Sequence, residues 1–330
     1  MLTREFVQAL PKAELHLHLE GAVPWALVRA HAGELPELPA WWAQDFRYDD
    51  FTQFRGVMQT CMGCLIDLPA YDRVAGAVFR QLVAQNVRYA EISFDIVRAL
   101  DRNLEIADVA RVVKAAAPPG LIVRVFAAFS QHKPERTPPA IVRAVLQAPD
   151  LDGISLHGDE TVQSTAEFVA AFAGARERGL LTKAHAGELM GPASVVTVLD
   201  RLGVKRIEHG VRAVEDPAVV DRLVAEGITL DVCPWSNVRL RVVPDLSSHP
   251  LAQLHARGVR VTINTDDPTA FGRTLTEELV SVIDDLGIAP ADVARMQANA
   301  FAVAAMPAAA REQALADIAA LAREIGPGKA

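Results

Sequence analysis

Cysteine is scarce in this chain. Three occur among 330 residues, Cys61, Cys64 and Cys233. So sparse and odd a set builds no disulfide framework and points to a reducing compartment. Cys61 and Cys64 have CxxC spacing, but no second pair and no neighbouring histidine accompany them, so they are expected to pack in a helix. Positive charge is also in deficit: 33 lysines and arginines face 41 acidic residues, a formal net charge of -8. No basic stripe offsets that balance, which argues against a nucleic-acid partner. No run approaches the ~18–20 apolar residues of a membrane span. The N-terminus lacks the apolar stretch and small-residue cleavage site of a secretion signal. A cytoplasmic protein free of membrane is expected. A Gly-rich phosphate loop is missing after the first strand pattern, which weighs against an open, doubly wound sheet.

What the chain does have is apolar mass, 51% of residues, and a regular alternation of patterns. A short helix is expected over residues 3–9, then a strand carrying His16-Leu17-His18. Residues 23–50, with Trp25, Trp41 and Trp42, read as a loop-rich cap, and 51–86 as two helices broken near Pro69. From there strand patterns fall at 87–94, 122–129, 152–157, 181–185, 205–209, 228–233 and 259–264. Helical patterns follow them at 103–116, 137–147, 161–178, 192–202, 215–226, 250–257 and 273–286. Strands alternating with helices imply parallel pairing, because each crossover returns the chain to the same end of the sheet. Eight such units predict an α/β fold of the (β/α)8 TIM-barrel type. Residues 289–325 read as two further helices outside the barrel, and no linker divides residues 1–330, so one domain is expected.

In such barrels, active sites form at the carboxyl ends of the strands. The reactive-looking residues fall there: His16 and His18 on the first strand, His185 after the fifth, His209 after the sixth, Asp266 and Asp267 after the eighth. On a strand, His16 and His18 share one face. With His185 and Asp266 they would give one zinc ion three nitrogens and an oxygen, leaving a place for water, whose pKa zinc lowers to about 7. Glu188, three residues after His185, and His209 could then divide the acid and base roles. His132 and His157 also lie near strand ends. Asn237 and Arg239 follow the seventh strand and could orient a loop or the site. His31, His249 and His255 fall away from the strand ends and read as ordinary.

Six segments, in order, carry a resemblance. They are residues 11–21 with His16 and His18, Gly158-Asp159-Glu160, His185-Ala186-Gly187-Glu188, Glu208-His209-Gly210-Val211, Cys233-Pro234-Trp235-Ser236-Asn237 and Asn264-Thr265-Asp266-Asp267-Pro268. Together they resemble the adenosine/adenine deaminase family of the metal-dependent amidohydrolase superfamily. The resemblance implies a zinc hydrolase, one ion per chain, that replaces the 6-amino group of a small purine with oxygen. It implies that His16, His18, His185 and Asp266 bind the ion. Glu188 would protonate ring N1, His209 would take a proton from water, and Asp266 would orient that water. His18, Glu20, the backbone at Gly158 and Asp267 would meet the substrate, Asp267 at N7 and Gly158 at N3.

Adenosine deaminases usually carry Asp where this chain has Glu20, as adenine and aminodeoxyfutalosine deaminases do. The segment from His157 to Glu160 is more like the nucleoside branch. An adenosine-like nucleoside is therefore the expected substrate, with adenine or aminodeoxyfutalosine as the alternative. More remote are a two-metal hydrolase bridged through a modified Lys183 and a non-catalytic barrel. Oligomeric state is not legible.

Overall fold

The structure is a computed structural model. It describes residues 2–162 and 165–324. Residues 163–164, inside the helix expected from 161, and the terminal residue 325 of the last expected helix lie outside that range.

Eight strands pair in parallel and in chain order: β1 Lys12–His18, β2 Val87–Asp95, β3 Ile122–Ser130, β4 Gly153–His157, β5 Leu181–Ala186, β6 Arg206–His209, β7 Thr229–Val232 and β8 Arg260–Ile263. The ring closes between the ends of the chain order. A bridge joins Leu17 to Asp266, with His18 N donating to Asp266 O at 3.0 Å and Asp266 N to His16 O at 2.9 Å. This is the (β/α)8 barrel expected from the alternation.

Closure is confined to the carboxyl end of β1, so deeper backbone donors need other partners. Side chains supply them. Leu15 N donates to Asn264 Oδ1 at 2.8 Å, and Ala13 N to Gln297 Oε1 at 2.9 Å. Asn264→Ala would orphan a buried N–H, and we expect a loss of about 1–3 kcal/mol, checked by urea unfolding.

Strand alternation sorts the side chains. Leu15 and Leu17 join the apolar layer between barrel and helices. Most inward positions are polar, unlike the branched aliphatics usual in such interiors. Arg206 pairs with Glu91 at 2.7 Å and with Asp231 at 2.5 Å. Lys183 pairs with Glu208 at 3.1 Å and donates to Leu15 O at 2.6 Å. Lys183 is thus engaged below the site by a carboxylate and a backbone carbonyl. Buried charges persist only when paired and hydrogen-bonded, and this layer forms a charged floor under the rim.

The outer helices follow their caps. Asp50 and Asp67 accept the Gln53 and Ala70 amides at the starts of Phe51–Cys61 and Leu68–Ala84. Pro69 therefore sits in a first turn, and the break falls before it. Residues 234–239, which follow the seventh strand, form a short helix opened by Pro234. Pro290–Val303 and Ala308–Glu324 pack as the expected extra pair. The 23–50 cap is tied to the short helix Pro268–Phe271 after β8: the Trp41 and Trp42 indole N–H groups donate to Thr269 O at 3.1 and 2.7 Å.

Candidate active site

The expected cation ligands arrive from three places on one rim and meet. His16 Nε2 lies 3.2 Å from both His18 Nε2 and His185 Nε2. Asp266 Oδ1 lies 3.4 Å from His16 Nε2 and 3.2 Å from His18 Nε2. Ligands about 2.0–2.1 Å from a tetrahedral zinc are separated by such edges. All four residues are buried.

Hydrogen-bond polarity decides which imidazole nitrogens are free. His16 Nδ1 faces the Asp231 carbonyl at 3.2 Å. His185 Nδ1 faces the Leu156 carbonyl at 3.0 Å and Glu208 Oε2 at 3.1 Å. Ser93 gives its hydroxyl proton to Leu17 O, so it accepts from His18 Nδ1 at 3.0 Å. In each ring Nδ1 is the donor and the Nε2 lone pair points to the cluster, the arrangement that ligating histidines take from their outer partners. The four residues therefore fit a single cation. Burial opposes the charge of Glu208, yet Lys183 and His185 hold its carboxyl well below the usual range.

His209 also touches this cluster, but differently. Its Nε2 lies 3.4 Å from Glu188 Oε2 and 3.8 Å from Asp266 Oδ2. Its Nδ1 meets Asn237 Nδ2 at 3.3 Å, and that same amide nitrogen donates to Glu188 Oε1 at 3.3 Å. Burial, with His16 adding to it, lowers the His209 pKa well below the usual value, so its ring is neutral. Burial and then Asp266 raise Glu188 well above the usual carboxyl range, which favours its protonated form. Asp266 stays ionised: burial opposes its charge, but His16, His18 and His209 hold its pKa well down. A carboxyl that favours its acid form and an imidazole that favours its neutral form thus stand beside a cation cradle.

Backbone geometry bears the cost of this convergence. His209 and Asp266 have φ of 68° and 63°, in the left-handed region that non-glycine residues rarely adopt. Glu208 already faces the barrel interior, so plain alternation would turn His209 outward; the reversed φ brings it into the site. Such outliers gather at functional positions. Gly158 has φ of 96°, and a Cβ there would lie 2.5 Å from His132 Nδ1. A Cβ on Gly21 would overlap Asp267, with its Oδ1 only 1.8 Å away.

A cavity of about 250 Å³ opens over the cluster. Glu20, Asp95, Gly158, Glu188, His209 and Asp267 line it, as do His132 and His157. Asp267 is no helix cap: its side chain bonds none of the following amides, and its buried Oδ1 has no hydrogen-bond partner among the described residues. Burial and Asp266 raise its pKa well above the usual value, so it can donate a proton in a hydrogen bond. Glu20 Oε1 accepts from Asp95 N at 3.0 Å, and burial, then Asp95, push its pKa up to about 8.

Several contributors escape a reading of the sequence. Glu160 accepts from Glu188 N at 3.0 Å, Met190 N at 2.9 Å and Ser194 Oγ at 2.6 Å, and so anchors the loop that carries the acid. Ser236 donates to Asp266 Oδ2 at 2.8 Å. Ser93 and Asp95 continue the inward alternation of Glu91, a period-two signal that was available. Asn237 lies in the site, whereas Arg239 stacks over Trp235 at 5.2 Å and donates to Ala43 O, outside it.

Fold and site together define a hydrolase of the amidohydrolase class, with a rim-mounted His/Asp cluster in a TIM barrel. A profile described as adenosine deaminase matches residues 11–321. An adenine deaminase of Rhodospirillum rubrum is 36% identical over 90% of this chain and 92% of its own length. The crystal structure of an adenine deaminase from Arthrobacter aurescens superposes with a TM-score of 0.83 at 29% identity, covering 94% of this chain and 98% of that one. An amidohydrolase from Burkholderia ambifaria, solved with bound Zn, gives a TM-score of 0.82 at 25% identity, over 98% and 94% of the two chains. The chain belongs to the adenosine deaminase family. It is a hydrolytic deaminase that acts on purines. Among the described residues, no helix is long and apolar enough to cross a membrane.

Proposed function

We propose that this protein is a zinc-dependent adenine deaminase, converting the free base and water to the 6-oxo purine and ammonia. The two hydrogens of water end on ring N1 and on the departing ammonia. His16, His18, His185 and Asp266 would hold one zinc ion. When bound, such an ion lowers the pKa of water and so makes a strong nucleophile available at neutral pH.

The remaining work belongs to side chains. Glu188, protonated by its surroundings, gives its proton to N1 as the amino-bearing carbon is attacked. This discharges negative charge that would otherwise build on the ring. Asp266, anchored by Ser236, and His209 face the attacking water. Neutral Asp267 donates to N7, an acceptor that an ionised carboxylate would repel. The backbone at Gly158 serves N3, where the absence of a side chain permits close approach.

The observation that carries the choice of the free base over adenosine is Glu20. Its carboxyl is buried, held by the Asp95 amide, and set in the cavity wall. A carboxyl oxygen there can accept N9–H, which a free base has and a nucleoside lacks. A buried acceptor left unpaired costs about 1–3 kcal/mol. The longer side chain also takes space that a ribose would need. The likeness to the Rhodospirillum and Arthrobacter adenine deaminases supports this reading over the nucleoside reading favoured from sequence alone.

The test is a substrate panel at fixed zinc, following purine absorbance with adenine, adenosine, 2′-deoxyadenosine and aminodeoxyfutalosine. We expect kcat/KM for adenine to exceed that for each nucleoside by about 100-fold or more, the discrimination available when a site's hydrogen-bonding group loses its partner. Glu20→Ala should lower the adenine value by about 10- to 100-fold, the worth of a hydrogen bond to a carboxyl group. Faster turnover of adenosine by the unmodified protein would restore the nucleoside reading.

A further inference from the structure

His249 reads as ordinary in the sequence. In the structure it is buried between the short helix 234–239 and the helix Leu251–Ala256, and it touches the site through one intermediary. Leu251 N donates to His249 Nδ1 at 3.1 Å. A backbone amide can only donate, so this nitrogen must accept. Burial lowers the His249 pKa to about 3 and keeps the ring neutral. Its single proton therefore sits on Nε2, which faces Asn237 Oδ1 at 3.2 Å.

That contact fixes which end of the Asn237 amide is oxygen, an assignment that would otherwise be ambiguous. The other end is the NH₂ group, which meets both His209 Nδ1 and Glu188 Oε1 at 3.3 Å. Donor and acceptor roles are thus determined outward from one backbone N–H, through two side chains, to both groups expected to move protons.

We infer that His249 is a positioning residue of the deaminase site: it orients the Asn237 amide so that His209 turns Nε2–H, and Glu188 turns Oε2, toward the cavity. Two consequences follow. His209 Nδ1 accepts from the Asn237 amide, so the ring meets the attacking water as a hydrogen-bond donor through Nε2–H, and the proton that this water loses passes to the Asp266 carboxylate. This replaces the base role that the family resemblance implies. Glu188 Oε1 accepts from Asn237, so the acidic proton resides on Oε2, the oxygen that faces His209. The three cluster histidines have the opposite polarity, Nδ1 donating and Nε2 free. The inference rests on the deaminase reading for its consequences and on hydrogen-bond geometry for its substance.

Two measurements test it separately. The first is imidazole ¹⁵N NMR of the zinc-loaded protein labelled in histidine, with signals assigned by single substitutions. Protons are expected on Nε2 of His249 and His209, and on Nδ1 of His16, His18 and His185. A proton on Nδ1 of His209 overturns the inference. The second is kinetic. His249→Phe should lower kcat by about 10- to 100-fold, the usual effect of removing an outer partner, with KM and zinc content unchanged. His249→Gln, whose amide N–H can replace Nε2–H, should recover most of that loss. Unchanged kcat in His249→Phe, or a Gln variant no better than Phe, would also overturn it. If the unmodified protein fails to deaminate adenine, the proposed function falls, and the NMR pattern still decides the His249 relay.

Discussion

Glu188→Gln is expected to bind its metal normally and to lose about 100- to 10,000-fold in kcat, the usual contribution of a positioned acid. The amide preserves shape, and Asn237 can still donate to its oxygen. It has no proton that it can give up to N1. The environment makes the acid assignment specific. Burial and the neighbouring Asp266 charge keep Glu188 protonated, while Glu160 anchors the backbone at that position. Metal content and steady-state turnover of adenine, measured on the same preparation, check the result. Wild-type turnover in the variant would remove Glu188 from the proton path. Loss of metal together with activity would show instead that it belongs to the cation cluster.

His16→Ala is expected to remove metal and turnover together, with kcat falling on the order of 1,000-fold or more. That figure corresponds to several kcal/mol of charge stabilisation at 1.36 kcal/mol per decade. His16 is the hub of the cluster, within 3.4 Å of His18, His185 and Asp266. The alternative is that His16 is a packed core histidine serving only the Asp231 carbonyl. In that case the variant would lose stability but keep its metal. Metal analysis after gel filtration separates the two outcomes. Chelation of the unmodified protein should reproduce the loss, and added zinc should restore activity there but not in the variant.

Much of this architecture was legible in the chain. Period-two patterns bounded by helix signals place the seven strands from β2 to β8 to within a residue of their observed limits, because strand and helix periods are local properties. The convergence of His16, His18, His185 and Asp266 was legible for a related reason. Strand ends are readable, and a parallel barrel brings every carboxyl end to one rim. His16 and His18 reveal themselves by spacing alone. His185, Glu188, His209 and Asp266 follow from their positions at strand ends.

Other features had no local signature. Glu208 precedes His209 in a quoted motif, yet its support of His185 appears only when β5 lies beside β6. Asn264 and Gln297 serve β1 amides that lie 249 and 284 residues away in sequence. His249 follows a short turn in a segment with no motif, and its link to Glu188 exists only through Asn237.

The sequence by itself determined the barrel, the rim on which chemistry is placed and the kinds of side chain gathered there. These depend on periodicity and on topology, which are written along the chain. The tertiary structure alone decided which nitrogen of each histidine carries a proton, which carboxyls stay neutral and which oxygen of Glu188 faces the cavity. Such properties depend on burial and on donors brought from distant segments, and the field at a buried atom is the sum over neighbours that only folding assembles.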